Sequence, residues 1–207
     1  RFKTMPGIGE LIEGRVSISQ FRDVKVQDLL GRKQVELDFS SIASYVEGKV
    51  VLITGAGGSI GSELVRQVVR FHPKTVILLD RAESSLYAMQ MELEHEVKVH
   101  NHISVLGRVQ DHVLVQRIFE RYRPQVVFHA AAYKHVPLLE TAPWEAVLNN
   151  VLGSKTVMEA AAAWEVERFV LVSTDKAVRP TNVMGASKRV TELMMQSMNQ
   201  GKTRFMA

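Results

Sequence analysis

The sequence predicts an α/β fold, a parallel sheet with helices on both faces, and three observations predict it. Short, continuously apolar runs rich in β-branched residues alternate with longer segments of helical period; strands buried on both faces read this way, and alternating βα units build parallel sheets. The first run, at 50–53, ends in the glycine-rich stretch TGAGGSIG at 54–61, and a helical pattern follows. The second run, at 75–79, ends in an acid, Asp80, 25 positions after Gly55.

These features specify a doubly wound Rossmann arrangement over 49–207, preceded at 1–48 by an irregular or helical N-terminal arm. In the glycine-rich turn, Gly55 allows the tight bend, Gly58 lets a pyrophosphate approach the backbone, and Gly61 lets the helix pack close to the sheet. Ser59 and Ile60 open the helix, whose free N–H groups and positive dipole end suit phosphates. Leu64, Val65, Val68 and Val69 then mark one helix face, which Pro73 closes. Asp80 is placed to accept hydrogen bonds from both ribose hydroxyls of a dinucleotide, which favours NAD; Arg81 beside it leaves NADP open. As a plain structural residue, Asp80 would be a helix cap or a solvated strand end.

The alternation continues with a helix at 84–97, a strand at 102–106, a helix at 111–122 and a strand at 125–129. A long helix at 144–164, a strand at 168–172 and a helix at 182–198 follow, and 205–207 reads as the opening of another strand. A ligand belongs at the carboxyl ends of such strands. There Ala130, Ala131 and Ala132 leave room for a ring or a sugar, unless they simply begin a helix. Lys134 and His135, in a loop restrained by Pro137, are candidates for a diphosphate or a sugar hydroxyl, or are solvated. Ser173, Thr174, Asp175 and Lys176 stand with Lys188 where a dinucleotide enzyme keeps its hydroxyls, acid, base and lysine. Four residues before Lys188, where a tyrosine is usual, Met184 has no proton to give or take. The plainer readings are an N-cap at 173–175, a solvated face at Lys188 and packing at Met184.

Composition sets limits. A chain of 207 residues, 46% hydrophobic and 23% charged, can bury one substantial core. Without cysteine it has no disulfide framework or thiol nucleophile. The net charge of +4 is spread along the chain, which suits an anionic nucleotide and does not argue for nucleic acid. Seven histidines occur without metal-ligand spacing, so no metal is expected. No run of 18 apolar residues occurs and nothing resembles a signal peptide, so the chain is expected to be soluble and cytoplasmic. Residues 1–48 read as short amphipathic pieces, such as 24–30, interrupted by Gly7, Gly14 and Gly31. The chain is read as part of a longer protein, cut before a substrate-binding portion.

In order, TGAGGSIG, HAAAYKHVP (129–137), NNVLG (149–153), STDKAV (173–178) and NVMGASKR (182–189) resemble the extended short-chain dehydrogenase/reductase superfamily. More narrowly, they resemble the nucleotide-diphosphate-sugar 4,6-dehydratases of bacterial polysaccharide biosynthesis, the CapD-like branch. The pattern departs at GRVQD (107–111), where many relatives place an acid directly after the glycine, near the adenine, and here Arg108 stands. The resemblance implies oxidation of a sugar at C4 by NAD(P)⁺, loss of water across C5 and C6, and return of the hydride to C6. It implies a UDP-sugar substrate, UDP-N-acetylglucosamine by expectation, a homo-oligomer, and a full-length protein of the kind anchored at the cytoplasmic face of the inner membrane. By the same resemblance Lys188 binds the nicotinamide ribose and lends charge to the C4 oxygen, and Thr174 hydrogen-bonds that oxygen. Asp175 is the acid and, with Met184 inert, a member of the proton path. Lys176 takes the place of the base at C5, which requires desolvation or a nearby cation such as Lys188 to keep it partly neutral. Asn150 corresponds to a helix asparagine that supports the lysine; otherwise it is a buried polar contact of the backbone. A nucleotide-sugar 4-epimerase, which needs no C5 base, and a non-catalytic nucleotide-sensing module are the alternatives.

Overall fold

The computed structural model describes residues 3–4, 22–23, 39–199 and 201–207. The chain divides into two units, residues 1–39 and 40–207. In the first, β1 (Lys3–Thr4) and β2 (Arg22–Asp23) pair antiparallel; the amphipathic piece expected at 24–30 lies outside the described residues. The second unit begins earlier than the expected boundary at 48. Helix α1 (Phe39–Val46) leads into it, and Val46 is buried in the same apolar cluster as Val51 and Val65. That helix belongs to the core because its last turn carries the apolar side chain the sheet needs covered.

Six strands form one parallel sheet: β3 (Val50–Thr54), β4 (Thr75–Asp80), β5 (His102–Leu106), β6 (Val126–His129), β7 (Arg168–Leu171) and β8 (Arg204–Met206). Their order is β5-β4-β3-β6-β7-β8. The order reverses between β3 and β6, which opens a crevice at their carboxyl ends. Alternate residues feed opposite faces. Leu52, Ile77, Val127 and Phe169 pack with α4 (His112–Tyr122), α7 (Gly153–Ala163) and α8 (Val183–Met198). Val51, Ile53, Val76 and Leu78 pack with α2 (Ser59–Val69) and α3 (Glu83–Met91), which continues as a π-helix (Glu92–Val97). Two buried faces explain why the strands read as unbroken apolar runs.

Two elements differ from expectation. The loop expected around Pro137 is a short helix, α5 (Val136–Thr141), with the proline in its first turn, where a missing N–H costs nothing. The long helix expected at 144–164 is α6 (Pro143–Glu145), a π-helical stretch (Ala146–Leu152) and α7. A π-turn is rare and frequently marks a functional site; here it carries the buried pair Asn149 and Asn150. Among the described residues no helix is long and apolar enough to cross a membrane.

Candidate active site

The turn after β3 is built around missing side chains. Gly55 has φ +68°, and a Cβ there would stand 2.7 Å from the Ala131 backbone nitrogen. A Cβ on Gly61 would stand 1.9 Å from the Gly55 carbonyl oxygen. These contacts bring α2 down onto the turn and the turn onto the 130–131 backbone. The N-cap of α2, Gly58, has no side chain to cap with, and the first backbone bond into the helix comes from Ser62, whose N–H donates to the Gly58 carbonyl at 2.8 Å. The N–H groups ahead of it are a ready anion cradle. Lys134 crosses to this same place, its Nζ donating to Ser59 Oγ at 2.9 Å. It therefore stands at the helix start, beside the phosphate cradle. His135, exposed, is the N-cap residue of α5.

Asp80 stands half-buried at the end of β4. Its Oδ2 accepts from the Gly57 N–H at 2.8 Å and its Oδ1 from the Ala82 N–H at 2.9 Å. Each oxygen retains a second acceptor site, so the carboxylate ties the glycine turn to β4 and still has capacity for ribose hydroxyls. Arg81 lies over the Tyr133 ring, 4.4 Å from its centroid. A cleft opens among these turns, walled by Ala130, Ala131 and Ala132 on one side and by Arg108, Val109 and Gln110 on the other. The alanines follow β6 without regular structure and start no helix; the Ala130 N–H donates to the Thr54 carbonyl at 3.1 Å. The residues fit a dinucleotide: a side-chain-free phosphate cradle, an acid at ribose distance in sequence, and a narrow wall of methyl groups.

Beneath the alanines lies a buried polar network. His129 Nδ1 is 2.7 Å from Thr54 Oγ1 and its Nε2 is 2.8 Å from Ser154 Oγ. Burial first, and then the charge of Lys188, push the imidazole down to about 3, so it is neutral. Lys188 is itself buried, 4% exposed, with Nζ donating to the Val172 carbonyl at 2.7 Å. Burial pushes its ammonium down to about 8, against the opposing charge of Glu192. Glu192, one helical turn beyond, accepts from Ser173 Oγ at 2.5 Å and from Arg189 at 3.0 Å. The loop of candidate catalytic residues is thus fastened to the helix that carries the lysine. Glu192→Gln keeps an acceptor for Ser173 but removes the charge. It is expected to lower the pH at which Lys188 loses its proton, read as an acid-ward shift of the alkaline limb of the pH–rate profile.

Thr174 caps the 3₁₀ turn Asp175–Ala177, accepting from the Lys176 N–H at 3.4 Å, and its hydroxyl donates to Asp175 Oδ1 at 3.0 Å. That hydroxyl, and next the charge of Lys176, hold the exposed Asp175 carboxyl below its ordinary value. It is ionised at neutral pH, and the same contacts make it a weaker base than an ordinary carboxylate. The desolvation that a basic Lys176 requires is absent: its side chain is 51% exposed and its ionic contact is a carboxylate, Asp175 Oδ1, at 3.5 Å. The buried lysine of the site is Lys188. Met184, also buried, packs with Leu139, Ala146 and Tyr133. Asn150 donates to the Tyr133 carbonyl and to Ser187 Oγ, each at 3.0 Å, and accepts the Tyr133 N–H at 2.8 Å. It fastens the turn after β6 to the residue next to Lys188. Glu192, Gln110, Asn149 and Tyr133 escaped the sequence reading. The signals were there as a carboxylate four residues after the lysine and, for Asn149, as a polar side chain on a helix with apolar neighbours; Gln110 and Tyr133 stand in turns and carry no periodic signal.

Comparison with known proteins shows the family. Residues 51–207 match the family model described as polysaccharide biosynthesis protein. The chain is 45% identical over 209 residues to the capsular polysaccharide biosynthesis protein CapD of Staphylococcus aureus, covering 98% of this chain and 34% of CapD. It is 47% identical over 207 residues to the probable polysaccharide biosynthesis protein EpsC of Bacillus subtilis, covering 99% and 35%. The chain spans about a third of the length of these two relatives. Among solved structures, Pen from Bacillus thuringiensis superposes with a TM-score of 0.71 at 33% identity, over 78% of this chain and 49% of that one. On its glycine-rich turn, its site loop and these matches, the chain belongs to the polysaccharide biosynthesis protein family.

Proposed function

We propose that this chain is the cofactor-binding and catalytic portion of an NAD-dependent nucleotide-sugar 4,6-dehydratase in polysaccharide synthesis, with UDP-N-acetylglucosamine as substrate. The observation that carries the reading is the fastening of the loop that carries Thr174, Asp175 and Lys176 to the helix of the buried Lys188, through Ser173 to Glu192 and through Lys188 to the Val172 carbonyl, with an inert Met184 four residues before the lysine. Gly55, Gly58, Ser59, Ile60 and Gly61 hold the pyrophosphate of NAD, Asp80 its ribose, and Lys134 adds charge at the phosphates. NAD held by these residues would supply a reversible hydride acceptor for the oxidation at sugar C4 and the reduction at C6. Asp175, already ionised, accepts the proton of the 4-hydroxyl, and Thr174 orients that oxygen. Lys188 stabilises negative charge as it develops there. Lys176 serves at C5 once the sugar ring lies on the loop and supplies the burial that the side chain lacks.

Mass spectrometry of UDP-N-acetylglucosamine incubated with NAD⁺ and the whole protein, including any sequence that flanks this chain, tests the proposal. A product lighter by one water is expected, absent with Lys176→Met. The exposure of Lys176 favours a second reading, a 4-epimerase, which needs no base at C5; an isomer of unchanged mass would move the assignment there.

A further inference from the structure

One face of α8 meets the site loop at three successive levels. Gly185, Lys188 and Glu192 are three and then four residues apart, so they stand in a row along the helix. Glu192 accepts from Ser173 Oγ, and Lys188 Nζ donates to the Val172 carbonyl at 2.7 Å. At Gly185 the loop comes closer still. A Cβ there would stand 2.2 Å from the Lys176 carbonyl oxygen and 3.0 Å from its carbon. Glycine weakens a helix, and the φ of Gly185 is not positive, so the position requires space rather than backbone freedom. The Lys176 backbone fills that space.

Asp175 and Lys176 depend on this seat because their side chains have little packing of their own, being 82% and 51% exposed. Their backbone holds them: the Ala177 N–H donates to the Thr174 carbonyl at 3.1 Å and the Val178 N–H to the Asp175 carbonyl at 3.0 Å, which closes the 3₁₀ turn. The helix side is held as well, since the Gly185 N–H donates to the cap, Asn182 Oδ1, at 2.8 Å. On the dehydratase reading above, we propose that Gly185 is a positioning residue of the reaction. Its bare Cα lets the turn rest on α8 and so sets where Asp175 and Lys176 stand relative to the buried Lys188. A methyl group there forces turn and helix apart by about 1 Å, the movement that restores an ordinary carbon–oxygen contact. Val172 and Ser173 stay fastened to Lys188 and Glu192, so the groups beyond them lose register with the lysine.

Gly185→Ala in the whole protein tests this on two readouts. Hydrogen–deuterium exchange is expected to quicken in the peptide that carries the Ala177 and Val178 amides. NAD⁺ binding by calorimetry is expected to match the parent, while kcat for loss of water from UDP-N-acetylglucosamine falls about a hundredfold with KM little changed. Asn182→Ala frees the Gly185 N–H without adding an atom near Lys176. It is expected to act in the same direction and more weakly, and it carries the test if Gly185→Ala does not fold. Parental kcat in both variants would overturn the assignment, as would a loss of kcat matched by an equal loss of NAD⁺-binding sites, which is a folding defect. A parent protein that removes no water takes the dehydratase reading down first, a failure distinct from that of Gly185, which shows only between variant and parent.

Discussion

Lys188→Met is expected to cut turnover by about a hundredfold to a thousandfold, the range for losing one preorganised charge-stabilising donor, while removing a pH-dependent cost to folding. The unfolded lysine titrates near its ordinary value and the folded one at about 8. Between those two values the unfolded chain binds more protons than the folded one. Stability therefore rises with pH across that window, and the full cost of charging Lys188 is felt below pH 8. The difference corresponds to about 3 kcal/mol. Urea melts at several pH values from 7 to 10.5 should show this rise in the unmodified protein and its loss in Lys188→Met, with other groups cancelling in the comparison. The same titration predicts that activity declines above about pH 8, as the ammonium is lost. Parallel stability curves for the two proteins would mean that Lys188 is solvated or fully compensated in the fold.

Gly61→Ala is expected to destabilise the domain by about 3 kcal/mol and to abolish measurable NAD⁺ binding. The added carbon would sit 1.9 Å from the Gly55 carbonyl oxygen; the oxygen is backbone and a Cβ is fixed rigidly to its own, so neither can swing away as a side-chain end can. Relief requires α2 to lift from the turn. That moves the N–H groups of its first turn out of register with the cradle and pulls Ser59 from Lys134. Gly58→Ala is the useful contrast: its Cβ would meet the Gly55 carbonyl oxygen at 3.2 Å, a contact that a shift of a few tenths of an ångström relieves. Thermal melts and NAD⁺ calorimetry on both variants separate the two. A Gly61→Ala protein that melts and binds like the parent would show that the close approach of helix and turn is not required.

The sheet was legible because its strands are buried on both faces, which leaves unbroken apolar runs such as 75–79, and because glycines at 55 and 61 are needed by the backbone itself. The site was legible as a set of residues and less so as an arrangement. Sequence order puts Lys176 in the position of a base; only packing reveals that it is half-exposed beside Asp175 while Lys188 is the buried lysine. Lys134 could not be assigned to the phosphate end from its neighbours, because its partner Ser59 is 75 residues away. The π-turn at 146–152 leaves no mark in hydrophobic period, since a single widened turn only shifts the phase of a pattern that continues. The early start of the domain at α1 was hidden for a similar reason: Val46 is one apolar contact in a helix too short to show periodicity.

The central claim is that the sugar itself is dehydrated, with the hydride removed from C4 returning to C6 of the same ring. UDP-N-acetylglucosamine carrying deuterium at C4, incubated with NAD⁺ and the whole protein and followed by NMR, tests it directly. Deuterium in the new methyl group at C6 is the predicted result; deuterium retained at C4, with the sugar still hydrated, would contradict it.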